Sequence, residues 1–240
     1  MTVMPAVRRW LLEGVEGLQH LFFPHICAGC GTDLITESAV LCLDCLNNLP
    51  VTGFHRFAVN PVEKIFRGRI PLVSATSLLY FTKDSLLQSL LHQLKYQGKK
   101  DLGVYFGKRI GEAYTQIVND PLFDAIVPLP LHPSRQRKRG YNQAAALADG
   151  ISEVLQVPVL ENVVRRSIQT NSQTQKNRLE RWDNMEGKFI LEEEEALYGR
   201  HVLLVDDVVT TGATLEACGS ALLKTEGLQL SISTLAYTAR

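Results

Sequence analysis

The sequence predicts an α/β fold: a mostly parallel sheet flanked by helices, with a small cysteine-rich module ahead of it. Three observations carry that expectation. Phe123–Leu131 (FDAIVPLPL) and His201–Val205 (HVLLV) are almost wholly apolar, as strands buried on both faces are. Amphipathic stretches of helical period lie between the strand-like runs. Four of the five cysteines fall in two Cys-x-x-Cys pairs before residue 46. At 240 residues the chain is long enough for one good-sized core and an appended module.

Charge excludes some classes of function. Lys+Arg and Asp+Glu both number 25, so the net charge is zero and any basic site must be local. No apolar run approaches the length of about 18 residues that a bilayer span needs, so no membrane insertion is expected. Glu13, Glu16 and several glycines interrupt any secretory core after Arg8 and Arg9, which makes the cytoplasm the expected location.

Residues 3–23 read as an amphipathic helix with Val7, Trp10, Leu11, Val15 and Leu18 on one stripe. The next module holds Cys27-Ala-Gly-Cys30 and Cys42-Leu-Asp-Cys45, two knuckles separated by 11 residues. That is the spacing of a tetrahedral thiolate site, so Cys27, Cys30, Cys42 and Cys45 are expected to hold a structural zinc ion. Disulfides are the competing reading, which an intracellular setting disfavours. His25 is taken as structural, because four thiolates close such a site. Residues 46–68, with Pro50, Gly53, Pro61 and Gly68, read as a linker with little regular structure. The expected division is a helix over 1–23, a zinc ribbon and linker over 24–60, and the α/β domain over 61–240.

Within that domain a strand is expected over Leu72–Phe81, then a helix near Asp84–Tyr96 with leucines 86, 87, 90, 91 and 94 in its core stripe. Lys95, Lys99 and Lys100 surround Gly98 at its end. They read either as a solvated cap that complements the helix dipole or as a phosphate contact. A further amphipathic helix follows near Leu102–Val118. Phe123–Leu131, the first buried strand of a nucleotide-type sheet, runs into His132-Pro-Ser-Arg135-Gln-Arg137-Lys138-Arg139-Gly140, the most basic spot on a neutral chain. A solvated run is the plain reading; its place after a strand's C-terminal end, where open α/β sheets bind ligands, favours an anion site. His132 reads as structural, with an acid or base role as the alternative.

Residues 141–156 read as a helix, Val157–Leu160 as a short strand, and Val163–Arg166 as the approach to a polar loop, Ser167–Arg178. Its twelve residues, with only Ile168 to bury, are either a disordered surface or a lid. A helix through Leu179, Trp182 and Met185 ties the loop back, Glu192–Glu195 is a solvated turn, and Leu230–Tyr237 closes the sheet with alternating residues. Cys218 is read as a buried small hydrophobe.

The chemistry concentrates in His201–Thr214, HVLLVDDVVTTGAT. A strand ending at Val205 is followed by Asp206 and Asp207, and then by Thr210-Thr211-Gly212-Ala213-Thr214 opening a helix. Free amides at a helix start, a glycine without side-chain bulk and nearby hydroxyls suit a terminal phosphate. Two ionised carboxylates suit the hydroxyls of a ribose cis-diol. Together they describe a site for a ribose 5-phosphate. An ordinary strand-to-helix turn with an Asp cap is the bland alternative. The string has neither the Gly-Lys-Ser/Thr of a P-loop nor a Gly-x-Gly-x-x-Gly.

VLLVDDVVTTGAT resembles the signature of type I phosphoribosyltransferases. With FPHICAGCG, LCLDC, LKYQGKKDLG, VPLPLHPSRQRKRGYNQ and RRSIQTNSQTQKNRLERWDN, the chain resembles the ComF family, which joins a zinc ribbon to a phosphoribosyltransferase-like domain. The resemblance implies that Asp206 and Asp207 bind ribose hydroxyls and Thr210–Thr214 the 5-phosphate of phosphoribosyl pyrophosphate. It implies a pyrophosphate loop in the basic run and a flap over Arg166–Asn184. Mg²⁺ and cations from Lys95, Lys99, Arg135, Arg137 or Arg139 would then stabilise the leaving pyrophosphate. Relatives that recycle oxopurines carry an acid where this chain has Thr210, which disfavours that substrate class. Bacterial members are associated with natural competence and single-stranded DNA. Two roles follow: transfer of a phosphoribosyl group to an unidentified acceptor, or ligand binding by a non-catalytic partner module of a DNA-handling machine. The scarcity of aromatics in the basic run, Tyr141 apart, weakens direct single-strand binding as the primary activity.

Overall fold

The computed structural model describes residues 25–36, 39–57, 59–116, 122–167 and 189–239. The expected helix over 3–23, the polar loop beyond Ser167 and the helix through Leu179, Trp182 and Met185 lie outside the described residues. The chain divides into two compact units, Met1–Leu49 and Pro50–Arg240. Among the described residues no helix is long and apolar enough to cross a membrane.

In the first unit the chain turns at Cys27–Gly31, where the Gly31 amide donates to the Cys27 carbonyl at 2.9 Å and Gly31 takes φ +77°. The second knuckle opens helix α1 (Leu43–Asn47), for which Cys42 is the N-cap. Among the described residues of this unit, Leu41, Leu49 and the cysteines Cys27 and Cys45 are buried.

The second unit begins with an edge segment along the sheet. A single 3₁₀ turn (Phe54–Arg56) and helix α2 (Pro61–Phe66) follow. This corrects the expectation of little regular structure over residues 46–68. Pro61 is a helix starter here because it occupies the first turn, where its missing N–H costs nothing. Asn60, nearly fully buried, caps α2 by accepting from the amides of Val62 and Glu63 and donates to the Ala75 carbonyl at 2.8 Å. Val62 and Phe66 enter the core.

Strand β1 (Ser74–Phe81) leads to α3 (Leu86–Tyr96), which Ser85 caps, and α4 (Lys100–Thr115). Leu87, Leu90, Leu91 and Leu94 form the buried stripe of α3. Strand β2 (Ala125–Pro128) is followed by α5 (Pro133–Arg139) and α6 (Gln143–Leu155). The short strands β3 (Val164–Arg166) and β4 (Phe189–Leu191) pair antiparallel as a separate sheet. After a 3₁₀ turn over Glu194–Leu197 come β5 (His201–Val209), α7 (Ala213–Leu222) and β6 (Gln229–Thr238).

The main sheet has the order β1-β6-β5-β2 with every pair parallel. The last strand therefore lies inside the sheet. Leu230–Ala236 are buried without alternation because both faces are covered, whereas the sequence reading expected a closing, alternating strand. β1 belongs to the same sheet, so Phe123–Leu131 does not begin it. Residues 157–160 contribute only one parallel bridge, Val159 to Ile126.

On one face α4 packs against α6 through glycines. A Cβ at Gly107 would lie 2.1 Å from the Leu147 carbonyl oxygen, and one at Gly150 2.1 Å from that of Val104. Gly103, Gly107 and Gly111, spaced by four, thus form a groove for Ala146, Gly150 and Val154. On the other face α2 and α7 cover Val202, Leu204, Leu230 and Ile232 in one apolar cluster.

Candidate functional site

Two constellations carry chemistry, one in each unit. In the first, the Sγ atoms of Cys27, Cys30, Cys42 and Cys45 all lie within 4.8 Å of one another, and Cys30 and Cys42 are 3.7 Å apart. A tetrahedron with metal–sulfur bonds of about 2.3 Å has edges of about 3.8 Å, so this set fits a structural zinc ribbon. Backbone amides converge on the sulfurs: Gly29 and Cys42 donate to Cys27 Sγ at 3.3 and 3.2 Å, and Cys45 to Cys42 Sγ at 3.4 Å. Burial raises the Cys27 thiol, but the amides of Cys42, Cys30 and Gly29 outweigh it and hold its pKa down to about 6. His25 stands apart, its Nε2 bonded to the Ala39 carbonyl at 2.6 Å.

The second constellation lies at the C-terminal end of the parallel sheet, where open α/β sheets hold ligands. β5 does not stop at Val205. Its pairing with β6 continues through Asp206↔Thr234 to Val209↔Tyr237, so both carboxylates sit within the strand. The Asp207 amide donates to Asp206 Oδ1 at 2.8 Å. Burial, then the neighbouring charge of Asp207, pushes the Asp206 carboxyl up to about 8, against the pull of Lys95 and Arg139. Lys95, in the last turn of α3, reaches Asp207 Oδ2 at 2.9 Å.

Beyond the strand, Thr210 and Thr211 are exposed and Gly212 is the N-cap of α7 in the left-handed conformation, φ +73°. Ala213 is the first helical residue, its amide bonded to Thr211 Oγ1 at 3.3 Å, and Thr214 is exposed. The turn is held from behind. A Cβ on Gly212 would lie 2.6 Å from Ile65 and 2.8 Å from Phe66, so α2 seats directly against it. Arg69 bridges three pieces: Nη1 donates to the carbonyls of Ile65 (3.0 Å) and Thr211 (2.9 Å), and Nη2 pairs with Glu216 on α7. Thr210 and Thr211 line an open depression of about 340 Å³ with Ile65, Arg69, Tyr237 and Thr238.

The basic run is a short helix, α5, because Pro133 starts it and Gly140 ends it at φ +81°. The His132 side chain caps it, accepting from the Ser134 amide, which is the structural role expected for that residue. Arg135, Arg137 and Lys138 are exposed. Arg139 folds back: its guanidinium lies 5.5 Å from the Tyr96 ring centre and donates to Gln143 Oε1 at 2.5 Å. Tyr141 donates its hydroxyl to the Leu94 carbonyl, tying α3 to the segment after α5.

Of the residues expected to form the site, Asp206, Asp207, Lys95 and Arg139 are therefore close enough to feel one another's charge, and Thr210–Thr214 adjoin them. Lys99 and Arg137 are exposed and form no ion pair among the described residues. Arg135 acts on Arg166, whose pKa is lowered by burial and then by Arg135, while Asp206 pulls it the other way. Arg69 is not among the residues the sequence marks for the site, and Arg166, at the end of β3, enters there only as the first residue of the implied flap. Arg166 had a faint signal, the Arg165-Arg166 pair before the polar loop; Arg69 had none. Cys218 is fully buried in the core cluster, as expected.

Residues 138–239 match the family model of the phosphoribosyl transferase domain. Competence protein F of Haemophilus influenzae is 42% identical over 103 residues, which are 42% of this chain and 44% of that protein. Competence protein ComFC of Bacillus subtilis is 24% identical over 212 residues, 87% of this chain and 75% of the relative. DNA utilization protein YhgH of Escherichia coli is 26% identical over 219 residues, 89% of this chain and 90% of the relative. The chain is thus a homologue of competence protein F, ComFC and YhgH, with a phosphoribosyl transferase domain at residues 138–239 and an N-terminal four-cysteine cluster that fits a zinc ribbon.

Proposed function

We propose that this chain is a cytoplasmic protein of DNA uptake or utilisation whose α/β domain binds phosphoribosyl pyrophosphate, or a related ribose 5-phosphate ligand. The observation that carries the reading is the passage from Asp206 and Asp207 at the end of β5 into the left-handed Gly212 and the start of α7. Amides at that helix start receive the 5-phosphate, with the Thr210, Thr211 and Thr214 hydroxyls around it. Asp206 and Asp207 accept the ribose hydroxyls. Lys95 and Arg139, with Arg135 and the exposed Lys99 and Arg137, supply positive charge for the pyrophosphate end. Carboxylate oxygens suit a hard divalent cation, and Mg²⁺ held beside Asp206 and Asp207 would screen the charge that builds on a leaving pyrophosphate. In the first unit Cys27, Cys30, Cys42 and Cys45 hold zinc, and a thiolate site of that kind suits a reducing compartment.

Calorimetric titration with phosphoribosyl pyrophosphate and Mg²⁺ tests the site on wild type and on the Asp206→Asn/Asp207→Asn variant. Binding by the wild type alone is expected; equal heats from both would remove the ribose assignment. Pyrophosphate release, screened against nucleobases and amines, then tests transfer. Release with one acceptor identifies a phosphoribosyltransferase, and no release with any favours the non-catalytic module.

That second reading has its own support in the exposed Arg135, Arg137 and Lys138 of α5 and in the names of the relatives. A salt-dependent shift of labelled single-stranded DNA, lost on neutralising Arg135, Arg137 and Arg139, is its test.

A further inference from the structure

Among the described residues, five buried side-chain polar atoms make no hydrogen bond. Four of them, His55 Nε2, Thr76 Oγ1, Tyr114 OH and Ser233 Oγ, line a single cavity of about 10 Å³, with Ile110 and Ala113 forming part of its wall. The fifth, on Thr225, is not part of that lining. Buried hydroxyls without partners are costly, and a native fold tolerates few of them. Their convergence on one point therefore calls for a common partner.

The sequence brings them together by three routes. Thr76 on β1 and Ser233 on β6 are register partners, so their side chains stand side by side on one face of the sheet. Tyr114, in the last turn of α4, lines the same cavity as Ser233. His55 is held over the pair by the edge segment: the Thr52 amide donates to the Leu78 carbonyl at 2.9 Å, the Thr52 hydroxyl to the Ser77 carbonyl, and the Phe54 amide to Thr52 Oγ1 at 3.1 Å. Ser233, Tyr114 and Thr76 are 1%, 5% and 7% exposed, so bulk solvent cannot satisfy them.

We propose that this cavity is a binding site for one structural water molecule that bridges His55, Thr76, Tyr114 and Ser233. Its size sets the upper limit, since a volume of roughly 10–15 Å³ holds a single water and nothing larger. Its chemistry excludes the dry alternative and the charged one: the unpartnered polar atoms are three hydroxyls and one imidazole nitrogen, and no carboxylate, lysine or arginine lines it. A water with two donors and two acceptors matches four such groups, each of which can rotate or choose a tautomer to fit. The bridge would join the edge segment, strands β1 and β6 and α4 at one point, and it lies on the sheet beside Val205, one residue before the acidic pair.

A high-resolution crystal structure of the wild-type chain, together with oxygen-17 relaxation dispersion in solution, tests the assignment. A fully occupied water within hydrogen-bonding distance of at least three of the four atoms, with a long residence time, is the expected result. Thr76→Val and Ser233→Ala should each shorten that residence about tenfold or more. Direct hydrogen bonds among the four groups, a dry cavity, or an ion in the water's place would each overturn the proposal. The wild-type structure decides between these outcomes even if a variant fails to fold.

Discussion

Lys95 Nζ lies 2.9 Å from Asp207 Oδ2, and the two side chains are only 22% and 13% exposed. The pair joins the last turn of α3 to the end of β5 and neutralises one of two adjacent carboxylates. Its worth lies between that of an exposed pair and that of a fully buried one. Lys95→Met should therefore lower stability by about 1–3 kcal/mol in urea unfolding, because Asp207 is left partly buried without a partner. A variant as stable as the wild type would mean that solvent already screens the pair.

Asp206 titrates far from its ordinary range, and the consequence for stability has a definite sign. Its folded pKa is about 8, whereas an unfolded aspartate loses its proton near pH 4. Between about pH 4 and about pH 8 the folded chain holds a proton that the unfolded chain has released, so stability falls as pH rises through that window. Asp206→Asn should flatten this slope and leave the variant relatively more stable at pH 8 and above. If ionised Asp206 accepts ribose hydroxyls, ligand binding releases a proton, and the apparent affinity should rise up to about pH 8 and level off beyond it. Calorimetry in buffers of different ionisation enthalpy reads that proton directly; equal heats in all buffers would oppose it.

Arg69 lines the depression beside Thr210 and Thr211 and also shapes the turn they belong to. Its guanidinium fixes the Thr211 carbonyl, Ile65 and Glu216 at once. Arg69→Gln should weaken binding of ribose 5-phosphate about tenfold, the scale of one lost charge-assisted bond, while the circular dichroism of the fold persists. Arg69→Lys should recover part of the affinity. Full affinity in Arg69→Gln would show that α2 alone holds the turn.

The sequence is most legible where chemistry is confined to contiguous residues. His201–Thr214 announces strand, acidic pair, turn and helix within fourteen residues, and the two Cys-x-x-Cys pairs announce their cluster. What escapes is set by distance along the chain. Arg69 meets Thr211 across 142 residues, and no local pattern marks it. Pro61 resembles punctuation but starts a helix. Gly103, Gly107 and Gly111 lower helix propensity, yet a close crossing with α6 requires them. The strand reaches Val209 because β6 continues beside it, which overrides the poor strand preference of two aspartates.

The four-cysteine cluster should carry one zinc equivalent per chain in protein purified without chelator. A set of four sulfurs already within 4.8 Å of one another needs little rearrangement to close on the metal. Chelation should strip amide exchange protection from residues 27–45, since metal binding and local folding are one equilibrium in small thiolate modules. Cys42→Ala should do the same, because it removes a ligand and the acceptor of the Cys45 amide together. Metal content well below one equivalent in the wild type would refute the assignment.

Two left-handed glycines separate backbone strain from packing. Gly140, at φ +81°, has nothing within 4 Å of an added Cβ, so Gly140→Ala should cost only the conformational penalty of about 1 kcal/mol. Gly212 shares the conformation at φ +73°, but its Cβ would strike Ile65 and Phe66 of α2. Gly212→Ala therefore adds overpacking of about 1–3 kcal/mol to the same strain. Either α2 retreats and stability falls by the sum, or the turn moves and the amides of Ala213 and its neighbours leave the phosphate position. Urea unfolding and ribose 5-phosphate titration distinguish the two. A Gly212→Ala variant matching Gly140→Ala in stability and the wild type in affinity would show that α2 does not seat the turn.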